Sequence, residues 1–133
     1  MYADLLDALK PKVEALVTGN PLADDTNVGP MVREQDAIRV GEWITEAAEQ
    51  GARVITGGQR EGAVLSPSIL ADVNPAMRIS SDEVFGPAVA LTPVTSVEEA
   101  ITLANQTNYG LSAAIFTENL DNAMRFAREV DSG

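Results

Sequence analysis

Asp82-Glu83-Val84-Phe85-Gly86-Pro87 is the stretch on which the reading of this chain turns. It sets carboxylates, an aromatic ring and a Gly-Pro turn directly before an apolar run, residues 88–94, that reads as a strand. Taken singly, each of these residues is ordinary: a solvated carboxylate, a core phenylalanine, a turn. Their value lies in what stands on either side of them.

Upstream, residues 3–17 carry Leu5, Leu6, Leu9, Val13, Leu16 and Val17 at helical spacing. Pro11 falls inside that run, so the spacing predicts a kinked helix or one that begins near residue 11. Gly19-Asn20-Pro21 closes it, and residues 20–32 read as loop. Residues 34–50 give the clearest helix, with Ala37, Val40, Trp43, Ile44, Ala47 and Ala48 in one stripe and Glu42, Glu46 and Glu49 opposite. Gly51 ends it, and residues 53–56 read as a short strand running into Gly57-Gly58. Residues 65–72 are expected to be extended around Pro67, and 75–82 irregular.

Downstream, Ser96-Val97-Glu98-Glu99 has the capping-box pattern of a helix start, and that helix is expected to run through Ala104. Residues 111–116 are nearly all apolar and read as a strand buried on both faces. Asn119 is a candidate cap for a last helix carrying Leu120, Ala123, Met124, Ala127 and Val130 on one face. This order predicts α/β architecture with largely parallel crossovers in one domain, residues 1–133. In such an alternation a further strand is expected after the last helix, so the sheet is expected to carry an unpaired edge there.

Composition narrows the function. Twenty acidic against 9 basic residues give a net charge of −11, and no basic stripe is present, which argues against nucleic-acid binding. The apolar runs are far shorter than the ~18 residues of a membrane span, and the first residues lack the features of a secretory signal, so a cytoplasmic protein is expected. With no histidine and no cysteine, most zinc and iron sites are excluded, and no group of carboxylates has the spacing of a calcium loop.

The segments in order resemble the NAD(P)-dependent aldehyde dehydrogenase superfamily. The resemblance rests on Gly19-Asn20-Pro21 with Val28-Gly29-Pro30, on Gly51-Ala52-Arg53-Val54 with Gly57-Gly58, and on Pro67-Ser68-Ile69-Leu70. It continues through Met77-Arg78-Ile79, Glu83-Val84-Phe85-Gly86-Pro87, Ala104-Asn105-Gln106-Thr107-Asn108-Tyr109-Gly110-Leu111 and Phe116-Thr117. It covers essentially the whole chain and corresponds to the middle and later part of the family's catalytic domain.

The fold the resemblance implies is a three-layer α/β sandwich with a largely parallel sheet, here a partial aldehyde dehydrogenase catalytic domain. The implied activity is oxidation of an aldehyde to a carboxylic acid with NAD or NADP. By the same resemblance Glu83 binds the hydroxyls of the nicotinamide ribose, and Phe85 packs beside the nicotinamide ring. A carboxylate suits that task, because it can accept from two sugar hydroxyls without reacting. The family's thiolate nucleophile has no counterpart in a chain without cysteine, so catalytic residues are expected to be absent and the isolated chain inactive. The family's general base, oxyanion-stabilising asparagine and dinucleotide-binding domain are likewise not recognisable. Arg33 stands where the family often has a capping serine, a loss worth about 1 kcal/mol. A homo-oligomer is expected, and the alternative from another class is a non-catalytic α/β scaffold or partner-binding domain.

Two local patterns carry little. Gly57-Gly58-Gln59-Arg60-Glu61-Gly62 suggests a phosphate loop, yet Ala63-Val64-Leu65 continues it as extended chain instead of opening a helix. Asn105-Gln106-Thr107 fits a glycosylation sequon in a sequence read as non-secreted.

Overall fold

Helix α1 (Tyr2–Glu14) lays Leu6, Leu9 and Val13 along one side, and these pack with Ile69 and Ala71 of the sheet below. The structure, a computed structural model, describes residues 1–132 and divides into two units, Met1–Pro93 and Val94–Gly133. In the first unit α1 starts at Tyr2 and contains Pro11, so the expected start near residue 11 is corrected. Proline forfeits one bond, to the carbonyl four residues earlier. Near the end of a helix already held by its apolar side, that loss does not stop the chain.

Helix α2 (Glu34–Glu49) buries Ala37, Val40, Trp43, Ile44 and Ala47, the stripe read from the sequence. Arg33 makes no side-chain capping bond at its start. At its end Gly51 takes φ +106°, the Gly51 N–H donates to Ala48 O at 3.1 Å and the Ala52 N–H to Ala47 O at 2.9 Å. These two bonds satisfy carbonyls that a helix end leaves open, and they turn the chain at once into strand β1 (Arg53–Thr56).

A short hairpin follows, β2 (Arg60–Glu61) against β3 (Val64–Leu65), and then β4 (Ser68–Ala71). One helical turn, α3 (Arg78–Ser81), stands where irregular chain was expected. Strand β5 (Ala88–Ala90) is shorter than the run over 88–94. The sheet has the order β1-β4-β5, with β4 antiparallel to β1 and parallel to β5. The expected parallel pairing is therefore found at β4–β5, whereas β1 joins from the other direction.

Every residue of β4 is buried. Leu70 belongs to the cluster of Val40, Trp43, Ile44 and Ala47 from α2, while Ile69 and Ala71 belong to the cluster around Leu6 of α1. Alternation along a strand sends neighbours to opposite faces, so this unit is a helix–sheet–helix stack of three layers. Tyr2 fastens α1 to it. Its hydroxyl accepts from the Asp72 N–H at 2.8 Å and donates to Leu91 O at 3.3 Å.

In the second unit α4 (Val97–Ala104) is capped as expected, the Glu99 N–H donating to Ser96 Oγ at 3.1 Å. The return bond goes one residue further back: the Glu99 carboxylate accepts from both the N–H and the hydroxyl of Thr95 at 2.7 Å. Helix α5 (Leu120–Glu129) is capped by Asn119 Oδ1, which accepts from the Asn122 N–H at 3.1 Å. Arg125 spans the two helices, reaching Glu98 at 2.7 Å and Glu129 at 2.9 Å. Residues 111–116, expected as a buried strand, form none, and Leu111 and Phe116 are 95% and 96% exposed. An apolar run becomes a strand only where a neighbour pairs with its backbone, and among the described residues none does.

Two outcomes follow from the first unit. Gly57, at φ +84°, lies so close to Ser68 that a Cβ would collide with the Pro67 carbonyl and the Ser68 side chain. Gly57→Ala is expected to destabilise by more than about 2 kcal/mol in a denaturant titration. The second concerns acid. Arg53 donates to Asp72 at 2.6 Å, and this bond holds the Asp72 carboxyl below the usual aspartate range. A depressed folded value means stability that is present above the unfolded pKa and lost as pH falls through the folded one. Asp72 sits at φ +58°, which asparagine tolerates, so Asp72→Asn is expected to keep the backbone but lower Tm near neutral pH, and so to flatten the acid side of a Tm-against-pH curve.

Candidate functional site

The loop from α3 to β5 carries Glu83 and Phe85, and the structure shows how it is held. Asp82 leaves the helical turn in extended conformation, φ −108° and ψ 157°. Val84 is half-buried against the α2 core cluster and anchors the loop from within. Its carbonyl accepts a hydrogen bond from Arg39 Nη2 at 2.8 Å. Further on, the Ser68 N–H donates to Pro87 O at 2.9 Å, which delivers the chain into β5 alongside β4.

Arg39 projects from the middle of α2 and is itself fixed. Its guanidinium lies 4.5 Å from the centroid of the Trp43 ring, one helical turn on. Arg78 lies over the same ring at 4.9 Å and reaches Glu46 at 3.4 Å and Asp82 at 3.9 Å. One indole thus supports two guanidiniums, one bonded to the loop's backbone and the other to the carboxylate at its start.

Gly86 passes close to α2: a Cβ there would stand 3.1 Å from Val40 Cγ2 and 3.2 Å from Met31 Cε. The tight approach explains glycine at this point. Phe85, just before it, adopts φ +46° although it is not glycine, and its ring is 75% exposed. Such a backbone costs on the order of 1–2 kcal/mol, and little burial offsets it. Glu83 is exposed and takes part in none of the hydrogen bonds or ion pairs among the described residues. A strained loop therefore presents an unengaged carboxylate and an uncovered aromatic ring two residues apart. Strain held at a surface with no packing return is characteristic of ligand sites.

Both residues singled out in the sequence lie on this loop, and the structure adds Arg39, Trp43 and Arg78 beside it. Arginine and tryptophan at i and i+4 on a helix were the available signal for the first two. No group of three or more potential metal ligands occurs among the described residues. In the second unit a concavity of about 320 Å³ is lined by Asn105, Thr107, Asn108, Tyr109, Asp131 and their neighbours. The Asn105 side chain there is spent on structure, donating to Glu129 O at 2.6 Å and accepting from the Asp131 N–H at 3.0 Å.

Comparison with known proteins gives the family. The chain matches the Aldehyde dehydrogenase family over residues 1–133, and it belongs to that family. It is 45% identical over its whole length to a 3-sulfolactaldehyde dehydrogenase of Priestia aryabhattai, of which it covers 28%. An NADP-dependent glyceraldehyde-3-phosphate dehydrogenase from Bacillus halodurans C-125, solved with NADP, superposes with a TM-score of 0.91 at 41% identity, covering 98% of this chain and 28% of that one. A Mycobacterium tuberculosis aldehyde dehydrogenase solved with NAD+ gives 0.90 at 31% identity, covering 99% and 28%. The fold is that of the aldehyde dehydrogenases, and the chain spans little more than a quarter of the length of these relatives. No helix among the described residues is long and apolar enough to cross a membrane.

The strain at Phe85 gives a separable test. Phe85→Gly is expected to leave Tm unchanged or raise it by a few degrees, because it relieves the left-handed backbone and removes a ring that is mostly exposed. A large fall in Tm would mean that the ring serves packing.

Proposed function

We propose that this chain is part of the catalytic domain of an enzyme that oxidises an aldehyde to a carboxylic acid with NAD or NADP, and that it supplies the cofactor-positioning part of the site. The observation that carries the reading is the α3–β5 loop, where Glu83 is free of partners and Phe85 is uncovered on a clamped, strained backbone.

The residues fit the group in their chemistry. Glu83 offers two acceptor oxygens to the adjacent hydroxyls of a ribose, and Phe85 offers a flat apolar ring to the side of a nicotinamide. When bound, the cofactor would accept the hydride released by the aldehyde carbon. Glu83 would hold the sugar and set the distance of the ring from the substrate, while Phe85 would limit its tilt and keep water from that side. Placement of this kind acts on rate through orientation, where an error of about 1 Å is costly. The relatives solved with NAD+ and with NADP support use of one of the two. The aldehyde itself would be met mainly by segments outside these 133 residues.

With no cysteine in its sequence, the isolated chain is read as inactive. Two charge-assisted hydrogen bonds of about 1.5–3 kcal/mol each exceed even the low end of an association cost on the order of 4–15 kcal/mol by at most about 2 kcal/mol, far short of the roughly 8 kcal/mol of micromolar binding. The purified 133-residue chain is thus expected to show no saturable NAD binding at micromolar concentration, and such binding would contradict the reading. A homo-oligomer belongs to the same proposal, since β1 and β5 form the open edges of the sheet among the described residues. A monomer at high concentration would count against it.

The direct test is Glu83→Gln in the full-length protein. The amide keeps the shape and loses the charge, so the KM for the nicotinamide cofactor is expected to rise about tenfold, with the KM for aldehyde unchanged. Unaltered turnover and cofactor affinity would overturn the assignment.

A further inference from the structure

Resting on that reading of the loop, we propose that Arg39 is a positioning residue for the cofactor: it fixes the backbone from which Glu83 and Phe85 project, and Trp43 holds it in place to do so. Glu83 is exposed and Phe85 is held at a left-handed φ, so neither is kept in place by burial of its own side chain. Val84 between them is only half-buried, so without a further tether the strained conformation could relax. The tether is visible: Arg39 Nη2 donates to the carbonyl of Val84, the residue between the two, at 2.8 Å. A charged donor to a backbone carbonyl is among the stronger hydrogen bonds available.

Arginine suits this place for a second reason. Its guanidinium carbon lies 4.5 Å from the centroid of the Trp43 ring while Nη2 bonds the loop, so one group meets both partners at once. Trp43 is 7% exposed and cannot move without disturbing the core cluster of α2, so the core's rigidity passes to the loop through one ring and one hydrogen bond. Arg78 works at the other end of the loop, over the same ring and within 3.9 Å of Asp82.

The test is a double-mutant cycle in the full-length protein. Arg39→Gln, Glu83→Gln and the double variant are compared for the dissociation constant of the nicotinamide cofactor, with KM for aldehyde and Tm measured on each. Arg39→Gln is expected to weaken cofactor binding about tenfold with KM for aldehyde unchanged, and the double variant to fall clearly short of the product of the two single losses, because only the part that acts through Phe85 is left once Glu83 is gone. Arg39→Lys, which keeps the charge but not the planar stack, is expected to fall between wild type and Arg39→Gln. If the two losses multiply, Arg39 acts independently of Glu83 and the proposal is overturned. If Arg39→Gln leaves binding intact while Glu83→Gln weakens it, the proposal fails and the functional reading stands. If Glu83→Gln has no effect, the functional reading itself fails, and this proposal with it. Should Arg39→Gln not fold, Arg39→Lys carries the same comparison in its place.

Discussion

The burial of β4 is the constraint on which the first unit depends. Ser68–Ala71 is shielded on both faces and bonded along both edges, by β1 on one side and β5 on the other. Such a strand has no route to water, so each backbone group must find its partner inside the protein. Its side chains set the layers: Leu70 faces α2, and Ile69 and Ala71 face α1. Even its single polar residue is used. The Ser68 hydroxyl donates to Ser66 O at 2.7 Å and accepts from the Gly58 N–H at 2.9 Å, which fixes the turn that brings Gly57 against it.

The loop of Glu83 and Phe85 hangs from this frame at two points. Pro87 O accepts from the Ser68 N–H and ties the loop's end to β4. Arg39, seated on Trp43, ties its middle to α2. Between the ties the chain does what free chain avoids, placing a phenylalanine at positive φ and leaving a carboxylate without a partner. Stability has been given up locally, and the packed layers beneath make that tolerable.

Much of this was legible in the sequence, and the failures have physical causes. The α2 stripe, Gly51 as its stop, and the caps Ser96 and Asn119 were readable because helix periodicity and capping are local. The loop of Glu83 and Phe85 was singled out by its resemblance, but its clamp at Val84 had no signal in the sequence. Arg39 among apolar neighbours on a helix looks like a solvated cation until Val84 is seen 45 residues away in sequence. The β2–β3 hairpin was missed because strands of two residues have no period to detect. Residues 111–116 failed for the opposite reason: the apolar pattern was there, and the pairing partner that makes a strand of it was not among the described residues. The antiparallel entry of β1 follows from the same missed hairpin, which turns the chain back near Gly62 so that β4 returns alongside β1.

A crystal structure of the full-length protein with its nicotinamide cofactor bound would show directly what Glu83 and Phe85 hold. Both ribose hydroxyls are expected within about 3 Å of the Glu83 carboxylate oxygens, with the Phe85 ring against the nicotinamide and the Arg39–Val84 hydrogen bond intact. A ribose held by other residues, with Glu83 still facing solvent, would contradict it.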